Sequence, residues 1–239
     1  EKPLPEITED EIPFEIPENW CWVRLQGITS EIGDGIHGTP IYDNNGEYYF
    51  INGSNLVNGK IEIRDSTKKV NIREYEKFKK TLGEATVLVS INGTLGNVSF
   101  YNNEKVILGK SACYFNLIWH VLKNYIKILL TSGYFLDYSI ENATGSTIKN
   151  VSLKAIRMFQ IPLPPVSGQQ RIVERIEKLL PEIESLKNDE TKLEELQKSF
   201  PKKMKDAILQ YAIQGKLTQQ LPEDGDARDL LKEIQKEKA

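Results

Sequence analysis

Hydrophobic and polar positions follow two different rhythms along this chain, and the change falls near residue 167. Before it, apolar residues come in short runs bounded by Gly or Asn: "EYYFI" (47–51), "KIEIR" (60–64), "ATVLVSI" (85–91), "NVSFY" (97–101), "KVIL" (105–108) and "ACYFNLI" (112–118). Runs of this length, rich in Val, Ile, Tyr and Phe, predict strands. Asn-Gly at 45–46, 52–53, 58–59 and 92–93 predicts tight turns with positive φ. The helical spacing of Leu122, Ile126, Leu129, Leu130 and Phe135 predicts one helix over about 120–141. Ser152 is a suitable cap for a second, short helix at "LKAIRM". The piece "MFQIPLPPV" (158–166) reads as strand-like.

Beyond residue 167 the rhythm becomes helical. Alternating steps of four and three from Ile172 reach Ile176, Leu179, Ile183, Leu186, Glu190, Leu193, Gln197, Phe200, Met204, Ala207 and Tyr211, and ten of these twelve positions are apolar. That is a heptad seam, and Leu180, Leu196 and Ile208 widen it. Pro181 predicts a kink, Pro201 the start of a second segment, and Gly215 a C-terminal stop. From Gln169 to Ser199 a helix would run about 45 Å. The length of the seam and its charged flanks favour pairing with a partner helix over a hairpin folded on its own domain. Ile172, Ile176, Leu179, Ile183, Leu186, Leu193, Phe200, Met204 and Ile208 are the expected contact positions. The chain is therefore expected to be α+β: an extended arm at 1–18 anchored by Phe14, Trp20 and Trp22, a mixed α/β body at 19–166, and a long helical coiled-coil region at 167–239.

Composition narrows the class without naming it. Hydrophobic residues at 39% and charged residues at 27% are ordinary for a soluble protein. Stretches such as "VLVSI" and "IKILL" fall far short of the roughly 20 apolar residues a bilayer span needs. No charged-then-apolar leader opens the sequence, so a secretory signal is not expected and the location reads as cytoplasmic. Cys21 and Cys113 are then expected as free thiols. His37 and His120 are the only histidines, too few for a Cys/His zinc site, and no metal is expected. The net charge of −3 hides an uneven distribution: residues 1–18 carry −6, residues 19–168 carry +4 and residues 169–239 carry −1. A mildly basic body is compatible with DNA.

Catalytic patterns do not stand up. "GDGIHG" (33–38) has glycine spacing of the dinucleotide type, but Thr39-Pro40 and "YDNNG" follow where a helix would have to open. "LPPV" (163–166) lacks the polar first residue and aromatic last residue that an adenine-methylating motif needs to hold a flipped base. There is no Walker loop, G-x-S-x-G elbow or H-E-x-x-H pair. What remains is a set of polar loops: "GIHGTPIYDNNG", "NGSNLVNG", "SINGTLGN", "ATGSTIKN" and Lys110-Ser111. Asn amides can bond adenine bidentately, Ser and Thr suit several bases, and Lys positions phosphates. His37, Thr39, Asn55, Asn92, Thr94, Lys110, Ser111 and Lys149 are the candidate DNA-binding residues. A coiled-coil protein-interaction adaptor without DNA specificity is the alternative.

The order "EIPENWCWVRL", "VLVSINGTLGNV", "GSTIKNVSLKAIRMFQIPLPPVSGQQRIVERIEKLL", "AILQYAIQGKL" strongly resembles the specificity subunit of type I restriction–modification systems, over nearly the whole chain. The resemblance implies a non-catalytic protein whose body, 19–166, is a target-recognition domain reading one half of a bipartite site in double-stranded DNA. It implies that the helical region, 167–239, is a spacer that docks the modification (methyltransferase) subunit, with a restriction translocase joining the full complex. S-adenosylmethionine is then expected on the modification subunit and no cofactor on this chain. Members of the family usually carry two such units in tandem, whereas this chain resembles one, either a natural half-subunit or half of a two-repeat subunit. An antiparallel homodimer through the helices, reading an inverted repeat, is the expected remedy.

Overall fold

The computed structural model describes residues 4–145 and 148–238. Ser146 and Thr147 of the "ATGSTIKN" loop, the first three residues of the arm and Ala239 lie outside the described residues. In chain order the strands and helices are β1 Cys21–Arg24, β2 Thr29–Asp34, β3 Tyr48–Ile51, β4 Leu56–Val57, β5 Lys60–Ile61, β6 Lys69–Val70 and α1 Ile72–Phe78. There follow β7 Thr86–Ser90, β8 Val98–Phe100, β9 Val106–Leu108, β10 Ala112–Leu117, α2 Lys123–Leu130 and α3 Gly133–Glu141. The chain closes with β11 Ala143–Thr144, β12 Asn150–Val151, α4 Leu153–Met158, β13 Gln160–Leu163, α5 Val166–Ile213 and α6 Ala227–Glu237. It divides into two compact units, Glu1–Glu177 and Lys178–Ala239.

The first unit is built on an antiparallel sheet in the order β2-β10-β7-β8. Its two central strands explain why the sequence runs there are continuously apolar rather than alternating: both faces are covered. The period-2 pleat sorts neighbours to opposite sides. Val87, Val89, Cys113 and Phe115 join one core with α2, α3 and α4, through Ile126, Leu130, Phe135 and Ile156. Leu88, Ala112 and Tyr114 join another, against Ile51, Leu56 and Leu108. Ile51 and Leu108 come from a second sheet, β6-β3-β9, in which β3 and β9 run parallel. Phe159 sits at the centre of an aromatic cluster with Tyr134, Phe135 and Tyr138, ring centroids 4.9–5.1 Å apart. Phe135 and Phe159, the two fully buried rings, each contribute about 1.5–3 kcal/mol relative to exposure.

Local chemistry sets several boundaries differently from the sequence pattern. The helix expected over 120–141 is two helices, because the Ser132 hydroxyl accepts from the Phe135 N–H and caps a new start at α3. Ser152 caps α4 as expected, accepting from Ala155. Of the Asn-Gly pairs, Asn58-Gly59 takes positive φ at both residues (49° and 87°) and closes the β4–β5 hairpin. Gly93 also has positive φ, whereas Asn52-Gly53 opens a 3-10 turn and Gly46 is not left-handed. "KIEIR" contributes only two strand residues.

The N-terminal arm is held by one buried guanidinium. Arg24, 4% exposed, donates to the Pro5 and Glu6 carbonyls, to the Glu11 carboxylate at 2.9 and 3.1 Å, and to the Met158 carbonyl. Phe14 meets Trp22 and Tyr134 edge-on at 5.0 and 5.4 Å, as anchors should. Strands β1 and β13 pair antiparallel over Cys21–Arg24 and deliver the chain to α5. The body does not end at residue 166: Gly168, Gln169 and Val173 in the first turns of α5 are buried, and Ile172 packs on the first core.

The second unit holds the rest of α5 and α6. Pro201 does not start a new segment, contrary to the expectation; α5 is one helix through both Pro181 and Pro201. A proline removes one backbone bond, and a helix of this length carries on around the gap. Gly215 ends it as expected, with φ +67°, the Gly215 N–H donating to Ala212 and the Lys216 N–H to Tyr211.

Candidate nucleic-acid interface

Strand direction decides which loops meet. β2 and β7 both run antiparallel to β10, with Asp34 opposite Cys113 and Ser90 opposite Ala112. The ends of β2 and β7 and the beginning of β10 therefore share one edge of the sheet. Three of the polar loops singled out in the sequence leave from that edge. A fourth is tied in by backbone bonds: Val151 N–H donates to the Ile91 carbonyl and Gly93 N–H to the Lys149 carbonyl. The approach leaves no room for a Cβ at two points, against backbone at Gly35 and against side chains at Gly109. A Cβ on Gly35 would lie 2.0 Å from the Leu108 carbonyl oxygen, and one on Gly109 would lie 2.1 Å from Asn52 Oδ1.

These loops enclose a cleft of about 510 Å³ lined by Asp34, His37, Asn92, Lys110, Asn150 and Ser152 with apolar Ile91, Val151 and Leu153 beneath. His37 Nε2 lies 2.6 Å from Asp34 Oδ2. Asn92 Nδ2 donates to Asn150 Oδ1 at 3.0 Å, beside an antiparallel bridge between the same two residues. Lys110 is exposed at the rim. Cys113, the register partner of Asp34, is fully buried, and its thiol is pushed up by that burial and by the Asp34 carboxylate. A surface of amides, one ammonium, one imidazole and one carboxylate on a rigid sheet can read hydrogen-bond patterns and contact phosphate.

The sequence-derived residues separate into three groups. His37, Asn92 and Lys110 come together in the cleft. Thr39, Thr94 and Lys149 are exposed on the loops around it. Asn55 and Ser111 are occupied in the fold. Asn55, 8% exposed, accepts from the Asn52 N–H and donates to the Glu62 carbonyl. Ser111 accepts from the Gly53 N–H at 2.9 Å and donates to Asn52 Oδ1 at 3.1 Å. Sequence reasoning passed over Asp34, Asn150 and Ser152. Asn150 ends the polar loop 143–150 and Asp34 immediately precedes the loop that begins at Gly35; what could not be seen was the pairing that brings them into one cleft.

On α5 the expected seam is bare from residue 180 on. Ile183, Leu186, Leu193, Phe200, Met204 and Ile208 are 46–69% exposed. Leu179 is half-buried, and Ile176 lines a shallow cleft with Trp20, Arg171 and Arg175. In α6, Leu230, Leu231 and Ile234 are exposed as well.

Residues 17–195 match the model of the type I restriction modification DNA specificity domain. The chain belongs to that family. It is 27% identical to the type I restriction enzyme EcoAI specificity subunit of Escherichia coli, over 78% of this chain and 33% of that protein. It is 25% identical to the EcoEI specificity subunit of Escherichia coli, over 100% of this chain and 47% of that protein. The chain thus spans between a third and a half of the length of these curated relatives. Among solved structures, the HsdS subunit from Thermoanaerobacter tengcongensis aligns with a TM-score of 0.53 at 20% identity, over 86% of this chain and 47% of that one. A chain solved in work on complex assembly and conformational transition of the type I R-M system aligns with a TM-score of 0.55, also at 20% identity, over 86% and 48%. Those likenesses bear on fold, and they agree with the α+β architecture carrying a long helix. No described helix is long and apolar enough to cross a membrane.

Proposed function

We propose that this chain is a non-catalytic, sequence-reading unit of a type I restriction–modification complex. Its body reads one half of a bipartite site in double-stranded DNA through the loops around the Asp34–Asn150 cleft. Its helical region docks the modification subunit, which carries S-adenosylmethionine and transfers the methyl group; the restriction translocase joins the same assembly. The observation that carries this reading is the specificity-domain match over residues 17–195. The convergence of four polar loops on one edge of a mildly basic body supports it.

Two copies pair through α5, antiparallel about a two-fold axis, and read an inverted repeat. A bare apolar stripe of this length is a liability unless covered. The charges beside it favour a second copy in the reverse direction. Residues 182–195 hold six Asp/Glu and two Lys, whereas residues 196–205 hold four Lys and no acid. Antiparallel pairing sets the acidic half of each helix against the basic half of the other, and parallel pairing would set like against like.

The test is to co-express the chain with its modification subunit and map methylated adenines in host DNA. A symmetric, interrupted motif is the expected result. An asymmetric bipartite motif would mean that a different half completes the site, and no methylation would overturn the reading. Binding to duplex DNA should weaken steeply as salt rises, because phosphate contacts release counterions. Binding without sequence preference or salt dependence would favour the adaptor instead.

A further inference from the structure

We propose that Asp34 is a specificity-determining residue, whose carboxylate accepts from the exocyclic amino group of one base in the major groove, N4 of cytosine or N6 of adenine. This rests on the DNA-reading role proposed above and deepens it.

A carboxylate is an odd occupant of a surface that meets phosphates, since it repels them. Among the described residues, Asp34 is the only acidic side chain lining the cleft. It is the last residue of β2, and its register partner is the fully buried Cys113, so the backbone beneath it is fixed by the sheet. The side chain is 16% exposed. One oxygen, Oδ2, is held by His37 Nε2 at 2.6 Å, which fixes the rotamer. The other oxygen has no hydrogen-bond partner among the described residues.

The rest of the cleft supplies mainly the opposite character. Lys110 is a donor. Asn150 spends its carbonyl on Asn92 and keeps two N–H groups, while Asn92 keeps its carbonyl. Lys110 and Asn150 suit base acceptors: N7 of purines, O6 of guanine, O4 of thymine. Asp34 cannot bond any of these, because an ionised carboxylate only accepts. The major-groove edge offers donors at two places, the amino groups of cytosine and adenine. A carboxylate aimed at that edge therefore has those two partners and no others.

The experiment selects duplexes from a randomised pool with the chain bound to its modification subunit, and repeats the selection with Asp34→Asn and Asp34→Ala. The wild-type selection should hold one position per half-site at cytosine or at adenine, which identifies the partner base. Asp34→Asn, which can donate as well as accept, should lower that preference by about tenfold or more while the other positions keep theirs. A second arm needs no variant. The selected duplex is remade without the amino group at that base, with 2-pyrimidinone for cytosine or purine for adenine. Wild type should then bind about tenfold more weakly, and Asp34→Ala should not distinguish the two duplexes. An unchanged selection by Asp34→Asn, equal weakening on all sequences, or no effect of amino deletion at any position would each overturn the inference. If the wild-type complex selects no sequence at all, the DNA-reading role itself falls, and this inference with it.

Discussion

Gln169 offers a direct measure of how the body grips the start of α5. Its side chain is 2% exposed and makes three hydrogen bonds: Oε1 accepts from the Leu122 N–H at 2.9 Å, and Nε2 donates to the Pro164 carbonyl at 3.1 Å and the His120 carbonyl at 3.3 Å. It thereby ties three separate stretches together: the loop before α2, the end of β13, and α5. Gln169→Ala deletes all three bonds. At about 1 kcal/mol net for each, the expected loss is roughly 3 kcal/mol, falling toward about 2 if water reaches the freed carbonyls. For a chain of this size that is a drop in Tm of about 4–12 °C. Gln169→Glu keeps the shape but loses both donors and sets a carboxylate against two carbonyls, so its loss should be at least as large. Gln170→Ala, at an exposed neighbouring position, should stay within about 0.5 kcal/mol. The assay is thermal unfolding followed by circular dichroism, with hydrogen exchange at Leu122 as the local readout. If Gln169→Ala costs less than about 1 kcal/mol and the Leu122 amide stays protected, the three bonds do not hold the junction and the reasoning fails.

Three further outcomes are expected. Leu186→Asp combined with Leu193→Asp, both on the exposed stripe, should convert a dimer to a monomer in analytical ultracentrifugation while the transition of residues 19–165 is unchanged; a dimer that persists would place the contact elsewhere. Inserting seven residues near Asn188 keeps the seam in phase and lengthens each arm by about 10 Å, so the unread gap in the methylated motif should widen. An unchanged gap in a surviving dimer would refute the ruler. The Glu11 carboxyl is held below its ordinary value near 4.5, first by the Thr8 backbone N–H and then by Arg24. Its stabilising effect on the arm is complete above that value and lost as pH falls through the lowered one. Proteolytic release of the arm should therefore begin only below about pH 4.5, and Glu11→Gln should release it at neutral pH; equal protection of both proteins at pH 7 would exclude the clamp.

Elements whose signal is local were legible in the sequence. The apolar runs at 85–91 and 112–118 are the two central strands, Ser152 is a cap, and Gly215 is a stop, because burial on both faces, an N-cap and a left-handed terminus each leave a mark within a few residues. Ser132 was missed for the opposite reason: a hydroxyl that caps a new helix looks the same, in sequence, as one lying on a helix surface. Asn55 shows the limit for the site. Its residue type suits base reading, but a turn uses the same amide to bond its own backbone, and which of the two wins depends on Glu62 and Asn52 lying nearby. The cleft itself depends on Asn150 meeting Asn92 across 58 residues of chain, a long-range pairing that no local pattern encodes.

The polar groups of the cleft sit on loops and at strand ends, whereas the two cores lie in and beneath the sheet and contain none of them. Neither His37 nor Lys110 belongs to the cores that hold Val87, Leu88 and Phe115. On the proposed reading, such a layout would let a lineage rewrite the address its enzyme visits through a handful of codons while the methyl-transferring partner is left as it was.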